Sequence, residues 1–201
     1  MVEKAATGKI DAAGRIDAGT ENAELDYPSL SAANYGVVLL FVVYVLSFLD
    51  RHILSLLVGP IREQFGITDF QYSLLAGAAF ALPYSFAGLP LGRLADRSTR
   101  KLIVAGSVAF WSLSTAACGL TTSLGQLFGA RMAVGTGEAG LAPPAYSIIT
   151  DSYRPRHFGY AMSFYKTAVQ VGGGLAFIVG GFFIERYTRI GPMELPLLGT
   201  V

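Results

Sequence analysis

Five long apolar stretches constrain this sequence more than any other feature. Each contains about 20 mostly apolar residues, the length at which a helix crosses the ~30 Å hydrocarbon core of a bilayer. A helix is the open-ended structure that satisfies its own backbone hydrogen bonds there. The sequence therefore predicts an all-α membrane protein with five transmembrane helices, at about residues 34–59, 72–92, 102–121, 126–149 and 158–184.

The composition supports a membrane protein and excludes several other classes. Of the 201 residues, 52% are hydrophobic and only 14% are charged. The net charge of +1 and the lack of a basic patch with interleaved aromatic residues argue against nucleic acid as a partner. A single cysteine, Cys118, allows no intrachain disulfide and no cysteine-based metal site. The spacing matches no catalytic triad or metal-ligand motif, so we expect neither an enzyme nor a cofactor.

The chain divides into three predicted regions. Residues 1–33 are polar and rich in small residues, which predicts a disordered cytosolic tail. Residues 34–184 form the predicted helix bundle. Residues 185–201 contain two prolines and too few consecutive apolar residues to span, so we expect an extracytosolic segment before a missing sixth helix.

Basic residues alternate between the two sides of the predicted bundle. The first and third connections between spans carry only Arg62, whereas the second and fourth carry most of the basic residues: Arg93, Arg97, Arg100, Lys101, Arg154 and Arg156. The positive-inside rule therefore places the N-terminus and the second and fourth connections in the cytosol.

Charged residues also fall inside the predicted spans. Each would cost on the order of 2.5 kcal/mol or more at the centre of a helix facing lipid, so each is expected to face protein or water. These residues are Asp50, Arg51, Arg131, Glu138 and Lys166.

The first and fourth spans are expected to share a polar cluster. Asp50 and Arg51 are adjacent, so they point ~100° apart and each needs a partner on another helix. Arg131 and Glu138 are seven residues apart on one helix face, and a rise of ~1.5 Å per residue places Asp50 and Arg51 at a level between them. A shared interior cavity is one interpretation. A static, fully paired network that fixes packing is the alternative.

Two further polar residues in the spans have open interpretations. His52 is a candidate proton shuttle, or else a hydrogen-bonding residue at a cavity wall. Lys166 lies in the cytosolic half of the fifth span, where it either reaches the membrane interface or contacts substrate. The same span carries a ridge of small residues at every fourth position, Ala168, Gly172, Ala176 and Gly180, which predicts close helix packing.

Two motifs carry a family resemblance. The cytosolic stretch "GRLADRSTRK" resembles the loop between the second and third helices of the major facilitator superfamily, with Thr99 where that motif usually has a second glycine. The run "RMAVGTGE" resembles the fourth-helix pattern of the same superfamily. The resemblance assigns a cytosolic gate to the matching loop residues, Gly92, Asp96, Arg97, Arg100 and Lys101.

Longer stretches, "FLDRHILSLLVGPIREQFGITDFQYSLL" and "EAGLAPPAYSIITDSYRPRHFGYAMSF", resemble the spinster branch of that superfamily over about residues 34–185. The resemblance implies a secondary transporter of lysophospholipids or sphingosine phosphate, proton-coupled in some members. It also implies a fold of twelve helices in two halves, of which this chain is the N-terminal part. The expected partners are therefore the bilayer, protons, a lysolipid or sphingolipid-like substrate and the missing C-terminal half.

Within that interpretation each membrane charge receives a role. Asp50 is the expected proton carrier and Glu138 the second titratable group, while Arg51 and Arg131 bind an anionic phosphate when they are not paired internally. Two other hypotheses remain open: a drug or metabolite transporter of the same superfamily, and a noncatalytic membrane assembly subunit. We expect a bacterial inner membrane protein with a cytosolic N-terminus.

The predicted orientation can be tested by cysteine labelling. Ser98→Cys and Ser123→Cys, each in a Cys118→Ala background, place one thiol in a predicted cytosolic loop and one in a predicted outer loop. A membrane-impermeant thiol reagent added outside spheroplasts is expected to label position 123 alone and to reach position 98 only after lysis. The reverse pattern would overturn the orientation.

Overall fold

The computed structural model describes residues 27–190, 194–195 and 199–200, with side chains as far as Arg186. These residues are almost entirely helical, which confirms the predicted fold class. The elements in chain order are α1 (Leu30–Leu56), α2 (Val58–Phe65), α3 (Asp69–Ser73), a π-helical turn (Leu74–Ala78), α4 (Ala79–Arg97), α5 (Arg100–Cys118), α6 (Leu124–Glu138), α7 (Ala142–Ser152), α8 (Pro155–Ile190) and the antiparallel strands β1 (Glu194–Leu195) and β2 (Gly199–Thr200).

Within the described residues, four helical stretches are long and apolar enough to cross a membrane. They are Leu30–Leu56, Asp69–Arg97, Arg100–Cys118 and Pro155–Arg186. They correspond to the first, second, third and fifth predicted spans. The fourth predicted span, 126–149, is built from two shorter helices, α6 and α7.

Two consecutive prolines explain this division. Pro143 and Pro144 lack the N–H groups that would bond to the carbonyls of Ala139 and Gly140 in a continuous helix. The backbone between the two helices forms a tighter turn, in which the N–H groups of Gly140 and Leu141 donate to carbonyls three residues earlier, at 3.3 and 3.1 Å. Ala139 and Leu141 keep right-handed helical dihedral angles. The chain therefore passes from α6 to α7 through a helical turn.

The helix bundle begins earlier and ends later in the structure than the sequence predicted. Helix α1 begins at Leu30, inside the predicted tail 1–33, because the Ser29 side chain accepts a hydrogen bond from the Ala32 N–H and caps the helix. Residues 1–26 of that tail lie outside the described residues. Helix α8 continues six residues beyond 184, since the sequence has no helix breaker before Gly191 and Pro192. The other parts of the predicted segment 185–201, apart from the two strands, also lie outside the described residues.

The connection between the first two spans contains a short helix, α2, that the sequence reasoning did not predict. It ends at Gly66, whose φ of 61° is left-handed and favours glycine. The next helix begins with a capping box formed by Thr68 and Gln71. Ile61 and Ile67 are buried beneath this connection, which holds it against the ends of α1 and α6.

The helices pack in two main groups. Helix α1 packs along α8, and α6 packs against both α4 and α5. The small-residue ridge of α8 forms the first contact: Ala168 and Ala176 are fully buried, and a Cβ atom at Gly172 would lie 2.6 Å from the Val45 carbonyl oxygen of α1. The predicted close packing is therefore confirmed for α8, and it positions the face of α1 that carries Asp50 and Arg51.

Gly172→Ala is expected to destabilise the protein, because its Cβ would collide with the α1 backbone. Gly174→Ala on the same helix is the matched control, since nothing lies within 4 Å of a Cβ there. We expect the melting temperature of the protein in detergent to fall for Gly172→Ala and to stay constant or rise for Gly174→Ala. Equal melting temperatures for the two variants would contradict the α1–α8 contact.

Candidate functional site

Two ion pairs join α1 to α6. The Arg51 Nε and Nη2 atoms both lie 2.7 Å from Glu138 Oε2. The Arg131 Nη1 atom donates to Asp50 Oδ2 at 3.2 Å. The four charges therefore lie between the first and fourth spans, at the level predicted from the helical rise per residue. They form two crossed pairs.

The pairs are largely removed from solvent. Glu138 is 1% exposed, Arg131 4% and Asp50 8%, whereas the Arg51 side chain is 24% exposed. Desolvating such charges is costly, and a buried ion pair rarely adds stability over apolar packing of similar volume. Their presence in an apolar bundle is therefore better explained by function than by stability.

Glu138 has a second partner, besides Arg51, that the sequence did not reveal. The Ser47 hydroxyl donates to Glu138 Oε2 at 2.6 Å. Ser47 is four residues before Arg51, so both residues lie on one face of α1, and this spacing is the signal that could have revealed it. The two hydrogen bonds and the Arg51 Nη2 contact all use the same carboxylate oxygen, and Glu138 Oε1 is buried without a hydrogen-bond partner among the described residues.

Three aromatic rings surround the Arg51 guanidinium. Its Cζ atom lies 4.5 Å from the ring centroid of Phe80 and 4.9 Å from those of Phe48 and Tyr84. Rings at this distance stabilise a cation, more strongly when water is excluded. Phe80 also lies 5.6 Å from the Arg131 Cζ atom, so one ring contacts both cations.

Two of these rings, Phe80 and Tyr84, lie on the second span, where local backbone features position them. The π-helical turn at Leu74–Ala78 immediately precedes α4, and such turns change which side chains face a neighbouring helix. Gly135 of α6 allows close approach, because a Cβ atom there would lie 2.5 Å from the Phe80 carbonyl oxygen. Sequence periodicity does not reveal a π-helical turn, which is why Phe80 and Tyr84 were missed.

The Asp50–Arg131 pair borders a cavity of about 840 Å³. Its walls come from α1, α2, the end of α5, residues 119–122 and α6. Arg131 Nε and Thr115 Oγ1 are buried here without hydrogen-bond partners among the described residues. The Asp50 pair therefore has one direct contact and adjacent space, in contrast to the three shorter contacts that hold Glu138.

His52 and Lys166 lie apart from the ion pairs. The His52 ring is 6.3 Å from the rings of Phe48 and Phe177, and a Cβ atom at Gly173 would lie 3.4 Å from it, so His52 packs against α8. The exposed Lys166 ammonium donates a hydrogen bond to the Tyr146 hydroxyl of α7 and lies 4.8 Å from the centroid of that ring.

The motif residues of the second connection lie at the opposite end of the bundle from the cavity. Arg100 forms an ion pair with Asp151 of α7, a partner that the sequence reasoning missed. A Cβ atom at Gly92 would lie 3.8 Å from Pro143, so this glycine faces the start of α7. A shallow depression brings four charged residues together, Asp96, Arg100, Lys101 and Asp151, while Arg97 is exposed at the end of α4.

The described side chains contain no group of three or more histidine, cysteine, aspartate or glutamate residues placed to hold a metal ion. The site as observed is a pair of crossed ion pairs with aromatic and hydroxyl partners. Such an arrangement can bind anions, exchange protons and exchange one pairing for another, all inside an apolar bundle.

Comparison with known proteins identifies the family. The model of the Major Facilitator Superfamily matches residues 40–190, which is more than half of the chain. The chain therefore belongs to the Major Facilitator Superfamily, a class of integral membrane transporters.

Within that superfamily the resemblance to the spinster branch is confirmed. The chain is 33% identical over 148 residues to protein spinster homolog 1 of Xenopus laevis, covering 72% of this chain and 28% of the relative. A crystal structure of a bacterial homolog to the human lysosomal transporter Spinster, inward-facing and unoccupied, matches with a TM-score of 0.74 and 37% identity, covering 82% of this chain and 36% of that chain.

A further relative is a probable L-galactonate transporter of Escherichia coli (strain K12), 33% identical over 136 residues. The match covers 68% of this chain and 30% of the relative. The chain thus spans about a third of the length of the proteins it matches.

Glu138→Gln is expected to lower the stability of the protein, because it leaves the Arg51 charge without an acid. Breaking a largely buried pair costs on the order of 3 kcal/mol. The matched control is Asp69→Asn, which breaks the exposed Arg62–Asp69 pair and is expected to cost about 1 kcal/mol or less. Thermal melting of the protein in detergent measures both changes in stability. Equal effects would contradict the assigned role of Glu138 as the counter-ion of Arg51.

Proposed function

We propose that this chain is the N-terminal part of a proton-coupled secondary transporter that moves an amphipathic lipid, such as a lysophospholipid or a sphingosine-phosphate-like molecule, by alternating access. The observation that carries the proposal is the pair of crossed ion pairs between α1 and α6. The similarity to spinster proteins supports the substrate class. The proposed setting is a bacterial inner membrane with the N-terminus in the cytosol.

The incomplete bonding of the network supports transport over a purely structural role. A static network that only fixes packing is expected to pair all of its polar atoms, because each buried unpaired atom costs free energy. Arg131 Nε and Glu138 Oε1 are both buried without partners among the described residues, and a cavity borders Asp50. These features favour a network that changes its pairing during a cycle over the assembly-subunit hypothesis.

Asp50 is the proposed proton carrier and Glu138 the second titratable group. Asp50 is held by one contact of 3.2 Å beside open space, whereas Glu138 has three shorter contacts, two of them hydrogen bonds. Protonation of Asp50 leaves the Arg131 cation without a counter-ion. The network then either rearranges or recruits an anion, which couples the proton to the substrate.

The two arginines are the proposed contacts for a substrate phosphate once their acids release them. A guanidinium binds phosphate oxygens in a fixed, often bidentate geometry, which favours arginine over lysine for this exchange. At the cytosolic end, the Arg100–Asp151 pair and Asp96 belong to the proposed gate between the two halves of the full transporter.

A second candidate substrate is a small polar anion. The similarity to a probable L-galactonate transporter favours it, because a carboxylate meets the same cationic side chains as a phosphate. Competition between oleoyl lysophosphatidate and L-galactonate for binding to the full-length protein distinguishes the two. The substrate is the ligand that is also accumulated in proteoliposomes under a pH gradient.

Asp50→Asn is expected to abolish uptake driven by a pH gradient while leaving substrate binding partly intact. Asparagine mimics the neutral carboxyl in shape and charge, so the variant is held on one side of the cycle. Arg51→Ala is expected to weaken binding and transport together. Both variants are compared in proteoliposomes of the full-length protein, with the isolated 201-residue chain as an inactive control, since alternating access requires two halves.

If uptake by Asp50→Asn keeps the wild-type pH dependence, the proposal for this residue is contradicted. Glu138 is then the next candidate for the proton carrier. Uptake by the isolated chain would contradict the two-half mechanism.

A further inference from the structure

A second cationic centre lies on the bundle, away from the crossed ion pairs. Among the described residues, no carboxylate forms an ion pair with Lys166, and its ammonium is held only by the hydroxyl and ring of Tyr146. An ammonium in a membrane span is costly unless water or an anion reaches it. Lys166 is exposed, so a ligand can approach it.

Four tyrosines connect this centre to Arg51, and we call them the tyrosine wall: Tyr44, Tyr84, Tyr146 and Tyr165. Tyr165 stacks on Tyr44 with centroids 4.7 Å apart and meets the edge of Tyr146 at 5.9 Å. Tyr84 covers the Arg51 guanidinium at the other end. Tyr44 also meets the Phe48 ring at 5.0 Å, and Phe48 contacts the Arg51 guanidinium. Helices α1, α4, α7 and α8 each contribute one tyrosine.

The wall also contains an unsatisfied polar atom. Tyr165 is fully buried, and its hydroxyl has no hydrogen-bond partner among the described residues. Buried hydroxyl groups are nearly always bonded, so this atom calls for a partner that the described protein atoms do not supply. Water or a ligand group that enters between the rings of the wall is such a partner.

We infer that Lys166 and Tyr146 bind the oxyanion of the substrate, a carboxylate or a phosphate, and that the tyrosine wall holds the adjoining part of the ligand. This inference rests on the proposed transport function. Lys166 is available without breaking an ion pair, whereas Arg51 is already held by Glu138 and three rings. The anion therefore docks first at Lys166, and the arginines become available only after a proton enters the network.

The dimensions suit a ligand with an anionic head and a short neutral linker. Tyr44 and Arg51 are seven residues apart on α1, which corresponds to ~10 Å along the helix. Tyrosine rings offer both apolar faces and hydroxyl groups, so they accommodate a glycerol or sugar backbone beside the anion. Lipid and soluble candidate substrates share the oxyanion. The experiment below distinguishes a lipid phosphate from the carboxylate of a soluble acid.

The test measures binding to the purified full-length transporter with three probes: oleoyl lysophosphatidate, monooleoylglycerol, which lacks the phosphate, and L-galactonate. Lys166→Gln is expected to weaken binding of the anionic substrate tenfold or more, because a charge-assisted contact is lost, and to change monooleoylglycerol binding less than twofold. Lys166→Arg is expected to restore most of the affinity, and Tyr146→Phe to lose a few-fold. Arg156→Gln, an exposed cation on the same helix, is the control and is expected to bind like wild type.

Unchanged anion binding in Lys166→Gln would overturn the inference, as would an equal loss for the charged and neutral lipids. A preference for lysophosphatidate identifies a lipid head group as the source of the anion, and a preference for L-galactonate identifies a soluble acid.

A second readout does not depend on transport. Modification of Lys166 by an amine-reactive reagent, followed by mass spectrometry, is expected to slow in the presence of inorganic phosphate but not of chloride at equal ionic strength, with Lys101 as the internal reference. Protection without any uptake would contradict the transport function and leave the anion site standing. Equal rates at Lys166 with phosphate and chloride would overturn the anion site itself.

Discussion

The crossed pairing of α1 with α6 is the constraint on which the rest of the structure depends. Adjacent charges on one helix diverge, so Asp50 and Arg51 need two different partners, and α6 supplies them two turns apart as Arg131 and Glu138. This requirement fixes both the rotation and the depth of one helix against the other. The Gly135 contact with α4 then brings Phe80 over both cations, so helix packing and electrostatics specify the same arrangement.

The division of the fourth span falls between the crossed ion pairs and the contacts made by α7. Glu138 is the last residue of α6, and Pro143 and Pro144 interrupt the hydrogen-bond ladder directly after it. A buried acid at the end of one helix segment therefore lies directly before the segment that carries Tyr146 and Asp151. That segment contacts Lys166 through Tyr146 and Arg100 through Asp151.

The sequence predicted the parts of this site that depend on helical periodicity, on the length of the apolar stretches and on the free-energy cost of charge in lipid. The length of the apolar stretches predicted the spans, and the expense of charge in lipid predicted that Asp50, Arg51, Arg131 and Glu138 lie together. It missed Phe80, Tyr84, the α6–α7 break and Asp151, because these depend on a π-helical turn and on tertiary contacts that leave no simple periodic signal. His52 illustrates the same limit: the sequence offered it as a proton shuttle or as a residue of a cavity wall, but its side chain packs against α8.

The central claim is that Asp50 changes protonation while its pair with Arg131 opens. Infrared difference spectroscopy of the reconstituted full-length transporter between neutral and acidic pH tests it most directly, because a protonated carboxyl group in an apolar site gives its own carbonyl stretching band. The account predicts that this band appears on acidification in the wild-type protein, disappears in Asp50→Asn and persists in Glu138→Gln. A band that persists unchanged in Asp50→Asn would contradict it.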